Sequence, residues 1–228
     1  MQHPWDHKLY LLREISNGLN EIHEKGLVHR NFHSGNIVIA LDFKIYITDL
    51  GLSKPANVTS EEQVFGVLPY IAPEVLAGRD YTQESDIYSF GMIAYEILSG
   101  YPPYCSKSHN ELLAIRICRG SRLQFEIQIP RSLLVWTQSC WNNSSTNLPK
   151  AKELLSTLQV YENDYSKVNR DSEIFKQIDE ADKYNERYKL LPEPKNPQAI
   201  YTSRLLHFIK KISDNPTLDE TISGKKSF

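Results

Sequence analysis

Between Glu84 and Leu98 the chain reads ESDIYSFGMIAYEIL, and this run constrains the fold more than any other segment. Ile87, Phe90, Ile93, Ala94 and Ile97 are apolar, and almost nothing charged lies between Asp86 and Glu96. A helix that is apolar on most of its circumference needs neighbours on every side, so the pattern predicts a strongly buried helix inside a helical domain. Leu12, Ile15, Leu19 and Ile22 recur at helical spacing, and Gly26 stands where a helix would stop, which predicts an amphipathic helix over about 8 to 25. Ser108-x-x-Glu111 is a capping-box pattern that predicts a helix through about Cys118. Further helices are expected near Ser132–Trp141 and Pro149–Tyr161.

Short β-type runs lie between the first helix and the buried one: Leu27-Val28-His29, Ile37-Val38-Ile39 and Tyr46-Ile47-Thr48. The stretch Leu52–Gln63 reads as a mobile loop. After Tyr161 the composition turns to Lys, Asp, Glu and Asn, with prolines at 192, 194 and 197. This predicts a peripheral tail over 161–228 with one helix near Ser172–Tyr188, a partly disordered remainder and little core of its own. No internal repeat is present. Lys and Arg number 26 against 28 Asp and Glu, so charge gives no reason to expect nucleic acid or an acidic membrane. Cys105, Cys118 and Cys140 form neither a disulfide framework nor a zinc motif, which fits a reducing compartment. No apolar run approaches a membrane span, and the start Met1-Gln2-His3-Pro4 lacks signal-peptide character. A soluble cytoplasmic protein is expected.

The segment His29-Arg30-Asn31-Phe32-His33-Ser34-Gly35-Asn36 is followed thirteen residues later by Asp49-Leu50-Gly51, and then by Ala72-Pro73-Glu74. Together with Asp86-Ile87-Tyr88-Ser89-Phe90-Gly91 and Cys140-Trp141, this ordered set resembles the carboxy-terminal lobe of a protein kinase over roughly residues 8–160. His-Ser-Gly-Asn in the catalytic loop and Leu50 after Asp49 give it the flavour of the tyrosine-kinase-like group. The resemblance implies a mainly α fold, α+β overall, with a small antiparallel β element at the catalytic loop. Residues 1–160 would be the kinase-like domain. It also implies ATP and Mg²⁺ as cofactors, with Asn36 and Asp49 as metal ligands and Val38 as the floor beneath the adenine. Read alone, an Asn before a strand and an Asp-x-Gly after one are ordinary turn residues, and Val38 is an ordinary strand residue. Asp86 is expected to be buried and bonded to the backbone near His29 and Arg30.

Several positions depart from the family pattern. Asn31 stands where the family carries its catalytic Asp, and an amide cannot accept the proton of a substrate hydroxyl. His33 replaces the Lys that Ser/Thr members place in this loop, and Val67 replaces a Thr that ties the activation segment to the base. Leu148-Pro149 offers no Arg to Glu74, leaving Arg79 or exposure to solvent as its escape. The 28 residues before His29 hold neither a Gly-rich loop nor a strand Lys, so no nucleotide lobe is legible there. An apolar patch around Val38 is expected in its place. Arg30 in active relatives grips a phosphorylated activation-loop residue, for which Thr59 and Ser60 are candidates, or else it stays unpaired.

Three functional expectations stay open at this stage. One is an ATP-dependent kinase by descent, inactive as written. Another is a pseudokinase-like binding or regulatory module with a protein partner. The third is a fragment of a longer kinase. The segment Asn196–Leu206, which mixes Tyr, Arg and apolar residues, is either a docking peptide or a patch that packs back on its own domain.

Overall fold

The computed structural model describes residues 5–55, 64–141, 148–166, 170–188 and 194–209. The apolar run forms α3 (Gln83–Ser99), in which thirteen residues are buried. Thr82 starts it by a reciprocal capping box with Ser85, and Gly100 ends it at φ 80°, a conformation that costs a glycine little. Around it lie α1 (Trp5–Glu24), the short α2 (Pro73–Leu76), α4 (Glu111–Cys118), α5 (Arg131–Ser139), α6 (Ala151–Ser166) and α7 (Glu173–Arg187).

Leu9, Leu12, Ile15 and Leu19 bury one face of α1, which packs against α6 and α3. Phe90 of α3 meets Trp136 of α5 edge to face at 5.6 Å between centroids. Gly91 permits the closest approach in this core. A Cβ there would lie 2.4 Å from Trp141 Nε1 and 2.7 Å from Cys140 Cβ, so any side chain must displace an indole ring.

Three two-stranded antiparallel ladders complete the described residues. β1 (Leu27–Val28) pairs with β4 (Lys54–Pro55), and β2 (Ile37–Ile39) pairs with β3 (Ile45–Ile47). β5 (Phe65–Gly66) pairs with β6 (Arg204–Leu205) from the far end of the chain. The mainly helical expectation with a small β element holds. The predicted loop Leu52–Gln63 is ordered where β4 forms, and residues 56–63, including Thr59 and Ser60, lie outside the described residues.

One helix start differs from expectation. Asn110, not Ser108, caps α4 by accepting from the Leu112 and Leu113 N–H groups. Ser108 instead donates to Gln198 Oε1 at 2.6 Å, so a tertiary contact decided between two good capping residues. The helix expected near Ser172–Tyr188 is α7, capped by Ser172. Its Ile174, Ile178 and Ala181 are buried, as are Leu206 and Ile209 further on. Ile174, Ile178, Leu206 and Ile209 thus belong to the same apolar core as α1 and α3.

Candidate functional site

The site is built where α3 begins. Asp86 is 1% exposed and accepts from His29 N at 2.7 Å, Arg30 N at 3.0 Å and His23 Nε2 at 3.1 Å. Three donors make a buried carboxylate tolerable and clamp the loop that follows β1. The clamp holds Arg30 at φ 72°, and Asp49 sits at φ 61° nearby. Non-glycine residues in this left-handed region store strain, which the surrounding bonds must offset.

Asn31 is buried, and its Nδ2 donates to Asp49 Oδ2 at 3.0 Å. Asn36 Nδ2 donates to the Asn31 carbonyl at 2.8 Å and reaches the same Asp49 oxygen at 3.4 Å. His29 fixes the loop further: Nε2 donates to the Thr48 carbonyl at 3.0 Å, and Nδ1 accepts from Asn31 N at 3.3 Å. The segment from His29 to Asn36 is therefore bonded both to α3 and to Thr48 and Asp49, which follow β3.

His33 lies beside Asn31 and is 7% exposed. Its Nδ1 accepts from Gly35 N at 3.1 Å, which leaves the proton on Nε2. Burial, reinforced by the neighbouring His29 and opposed by Asp49, pushes its pKa down to about 4. The Nε2–H then donates to Ser203 Oγ at 3.0 Å, and Ser203 donates onward to Asn31 Oδ1 at 3.2 Å. A continuous relay runs from His33 through Ser203 and Asn31 to Asp49. Ser203 was not among the expected site residues, since it stands 172 positions from Asn31 and no local pattern links them.

The other expected residues are placed as follows. Arg30 stacks over the Tyr81 ring at 4.8 Å and approaches the Leu52 carbonyl at 3.5 Å, so its guanidinium has company without a phosphate. Val67 is buried just before the turn Leu68–Tyr70. Val38 is 48% exposed on β2, and Ile39, Leu41, Phe43 and Tyr46 are exposed on the same hairpin. Glu74 is half-buried, with Oε1 lacking a hydrogen-bond partner among the described residues. Burial raises its carboxyl above the ordinary range, while the charges of Arg122 and Arg79 pull it down. Arg79 was foreseen as a substitute cation; Arg122 was not.

As arranged, Asp49 Oδ2 is not open to a divalent hard cation: the Asn31 amide N–H lies 3.0 Å from it and the Asn36 amide 3.4 Å, and a metal on that oxygen would have to displace them. Among the described residues no cluster of three or more His, Cys, Asp or Glu could hold a metal ion. No helix among them is long and apolar enough to cross a membrane.

Residues 2–158 match the family described as protein tyrosine and serine/threonine kinase. The chain is 26% identical over 171 residues to the probable serine/threonine-protein kinase drkD of Dictyostelium discoideum, a match covering 74% of this chain and 13% of that protein. It is 38% identical over 111 residues to the serine/threonine-protein kinase ste20 of Aspergillus fumigatus, covering 48% of this chain and 14% of the relative. The chain therefore spans only a small part of the length of these relatives. The ordered motifs, the Asp86 clamp on the loop at His29 and Arg30, and a match over more than half its length make the chain a member of the protein tyrosine and serine/threonine kinase family.

Proposed function

We propose that this chain is a pseudokinase: a kinase-like domain over 1–160, of tyrosine-kinase-like character, that holds a protein partner without transferring phosphate. The observation that carries this reading is the Asn31 amide bonded to Asp49. In the family this position holds the base that takes the proton of the acceptor hydroxyl, and general base catalysis is worth about 10²–10⁴-fold, or about 3–5 kcal/mol of barrier. Asn31 instead offers its carbonyl oxygen to a hydroxyl and its N–H to Asp49, so it can hold an acceptor but not deprotonate it. Proteins of this family use ATP with magnesium. Here the Asp49 oxygen that would share a metal with Asn36 is already taken by amide donors.

Calorimetric titration with Mg-ATP tests this reading. The expected result is no saturable binding at micromolar nucleotide. Submicromolar binding, lost on Asp49→Ala, would overturn it.

A second reading is favoured by the exposed hairpin. Val38 and its cross-strand partner Tyr46 are exposed on one side of the hairpin, and Ile39, Leu41 and Phe43 are exposed along it as well, more apolar surface than isolated exposed residues account for. A nucleotide lobe encoded upstream would cover it, making the chain a piece of a longer kinase that still lacks its Asp base. Sequencing the transcript from its 5′ end decides the matter. An in-frame Gly-rich loop and strand Lys support this reading, and an immediate upstream stop removes it.

A further inference from the structure

The residues around Ser203 form a seated segment and not a loose strap. Asn196 N donates to the Cys105 carbonyl at 2.8 Å, and His109 N donates to Gln198 O at 3.0 Å. His109 Nε2 faces the Tyr104 carbonyl at 3.2 Å, and its Nδ1 sits against the Ile200 backbone, 3.0 Å from the N–H and 2.9 Å from the carbonyl. Tyr201 meets the His109 ring edge to face at 4.8 Å and donates to the Pro103 carbonyl at 2.9 Å. Arg204 Nη2 donates to the His109 carbonyl at 2.6 Å. Leu206 N then bonds Val64 O at 3.0 Å, in the register that pairs Phe65 with Leu205 and Gly66 with Arg204. This is strand addition to the segment just before the Leu68–Tyr70 turn, with Leu206 and Ile209 buried as anchors.

Gly66 holds φ 151°, which a side chain would strain, and a Cβ there would lie 3.2 Å from Ile71 Cδ1 and 3.4 Å from Asn31 Oδ1, so the backbone runs close to the amide that receives Ser203. The added strand delivers one hydroxyl into the gap between His33 Nε2 and Asn31 Oδ1. The hydroxyl is thus paired on both sides, as a bound ligand is.

We propose that residues 196–209 of this same chain are a ligand held in cis in the cleft between the Asn31–His33 loop and the β5 edge, which reads them as an extended Tyr-x-Ser-Arg-x-Leu segment. Specificity comes from four contacts: the Tyr201 ring on His109, the Ser203 hydroxyl, the Arg204 guanidinium on a carbonyl, and Leu206 in the core. Because Asn31 takes no proton, Ser203 is held and not consumed. The inference rests on the pseudokinase reading only for that last point. A tethered segment sees its own site at an effective concentration in the millimolar range, so a free peptide of the same sequence competes poorly until the tether is weakened.

The test uses the intact 228-residue chain, without nucleotide, and a fluorescein-labelled peptide of residues 196–209 read by anisotropy. Wild type is expected to bind it weakly. Arg204→Glu in the chain, which removes one tail contact, is expected to bind the wild-type peptide at least tenfold more tightly. A peptide carrying Ser203→Ala is expected to bind that variant about five- to hundredfold more weakly, the range of the two hydrogen bonds the hydroxyl makes. Equal binding by wild type and Arg204→Glu, or by the two peptides, overturns the proposal. A second variant guards against misfolding: Phe65→Cys with Leu205→Cys places two thiols directly opposite on the β5–β6 ladder. Oxidation should give an intrachain bridge that abolishes peptide binding, with reduction restoring it. An interchain bridge would mean that the tail of a second copy occupies the cleft, and would overturn the cis assignment. Since no ATP is present, failure here is distinct from failure of the pseudokinase reading, which phosphate transfer would reveal.

Discussion

Restoring the acidic residue, Asn31→Asp, should destabilise the protein rather than repair it. In the wild type the Asn31 amide donates to Asp49 Oδ2 at 3.0 Å. The variant replaces that donor by a second carboxylate at the same distance. Two unit charges about 3 Å apart repel by about 1.4 kcal/mol in water and about 5.5 kcal/mol at an effective dielectric of about 20. Asn31 is 4% exposed whereas Asp49 faces solvent, so the real value lies between these limits. Loss of a hydrogen bond to a charged group adds about 1.5–3 kcal/mol, and stronger acceptance from Ser203 returns about 1 kcal/mol. A net loss of about 2–7 kcal/mol is expected, which for a domain of this size lowers Tm by roughly 4–28 °C. The assay is thermal unfolding at neutral pH with and without millimolar magnesium. Magnesium should recover part of the loss in the variant, by bridging the carboxylates, and should not move the wild type. An Asn31→Asp protein as stable as wild type and indifferent to magnesium would refute the idea that the amide does the metal's neutralising work.

Two other perturbations probe different parts of the structure. Gly91→Ala forces a methyl against the Trp141 indole and Cys140, and urea unfolding should show a loss of about 1–3 kcal/mol, whereas an unchanged midpoint would mean that α3 and this segment are not in such close contact. His33, faced by His29, Asp49 and the Tyr70 ring, is held near pKa 4 against about 6.5 unfolded, so its contribution is complete above pH 6.5 and is lost as pH falls toward 4. Unfolding midpoints across that window should flatten on His33→Gln, and an identical pH dependence in the variant would show that another group is responsible.

What the sequence revealed and what it hid divide by range. The buried α3 and the amphipathic α1 follow from periodicity, because each rests on dense local spacing, whereas the clamp from Asp86 to His29 and Arg30 spans more than fifty residues and was implied only by the resemblance of the ordered motifs to the kinase family. The pairing of Ser203 with Asn31 and His33 was invisible, since β6 is two residues long and carries no alternation to read. Asn196–Leu206 was expected either to dock elsewhere or to pack back, and it packs back, into the site itself. The α4 cap was misread for the same reason: Gln198 claims the Ser108 hydroxyl from 90 residues away. Arg122 as a neighbour of Glu74 was missed because its side chain is also held by the carbonyls of Ile117, Ser121 and Trp141, a cage formed only in three dimensions. The exposed hairpin around Val38 was anticipated from the absence of a nucleotide lobe before His29, a negative feature that needs no long-range contact to read.

The central claim is that the cleft holds a hydroxyl without activating it. Its most direct test is transfer of label from γ-labelled ATP with magnesium to a generic acceptor protein and to the chain itself, using purified wild type and Asn31→Asp in parallel. The expected result is no incorporation above the enzyme-free control in either protein, because the variant regains a base but the sequence before His29 holds no Gly-rich loop or strand Lys to position the nucleotide phosphates. Reproducible labelling of the acceptor, or of Ser203, by either protein would contradict the account.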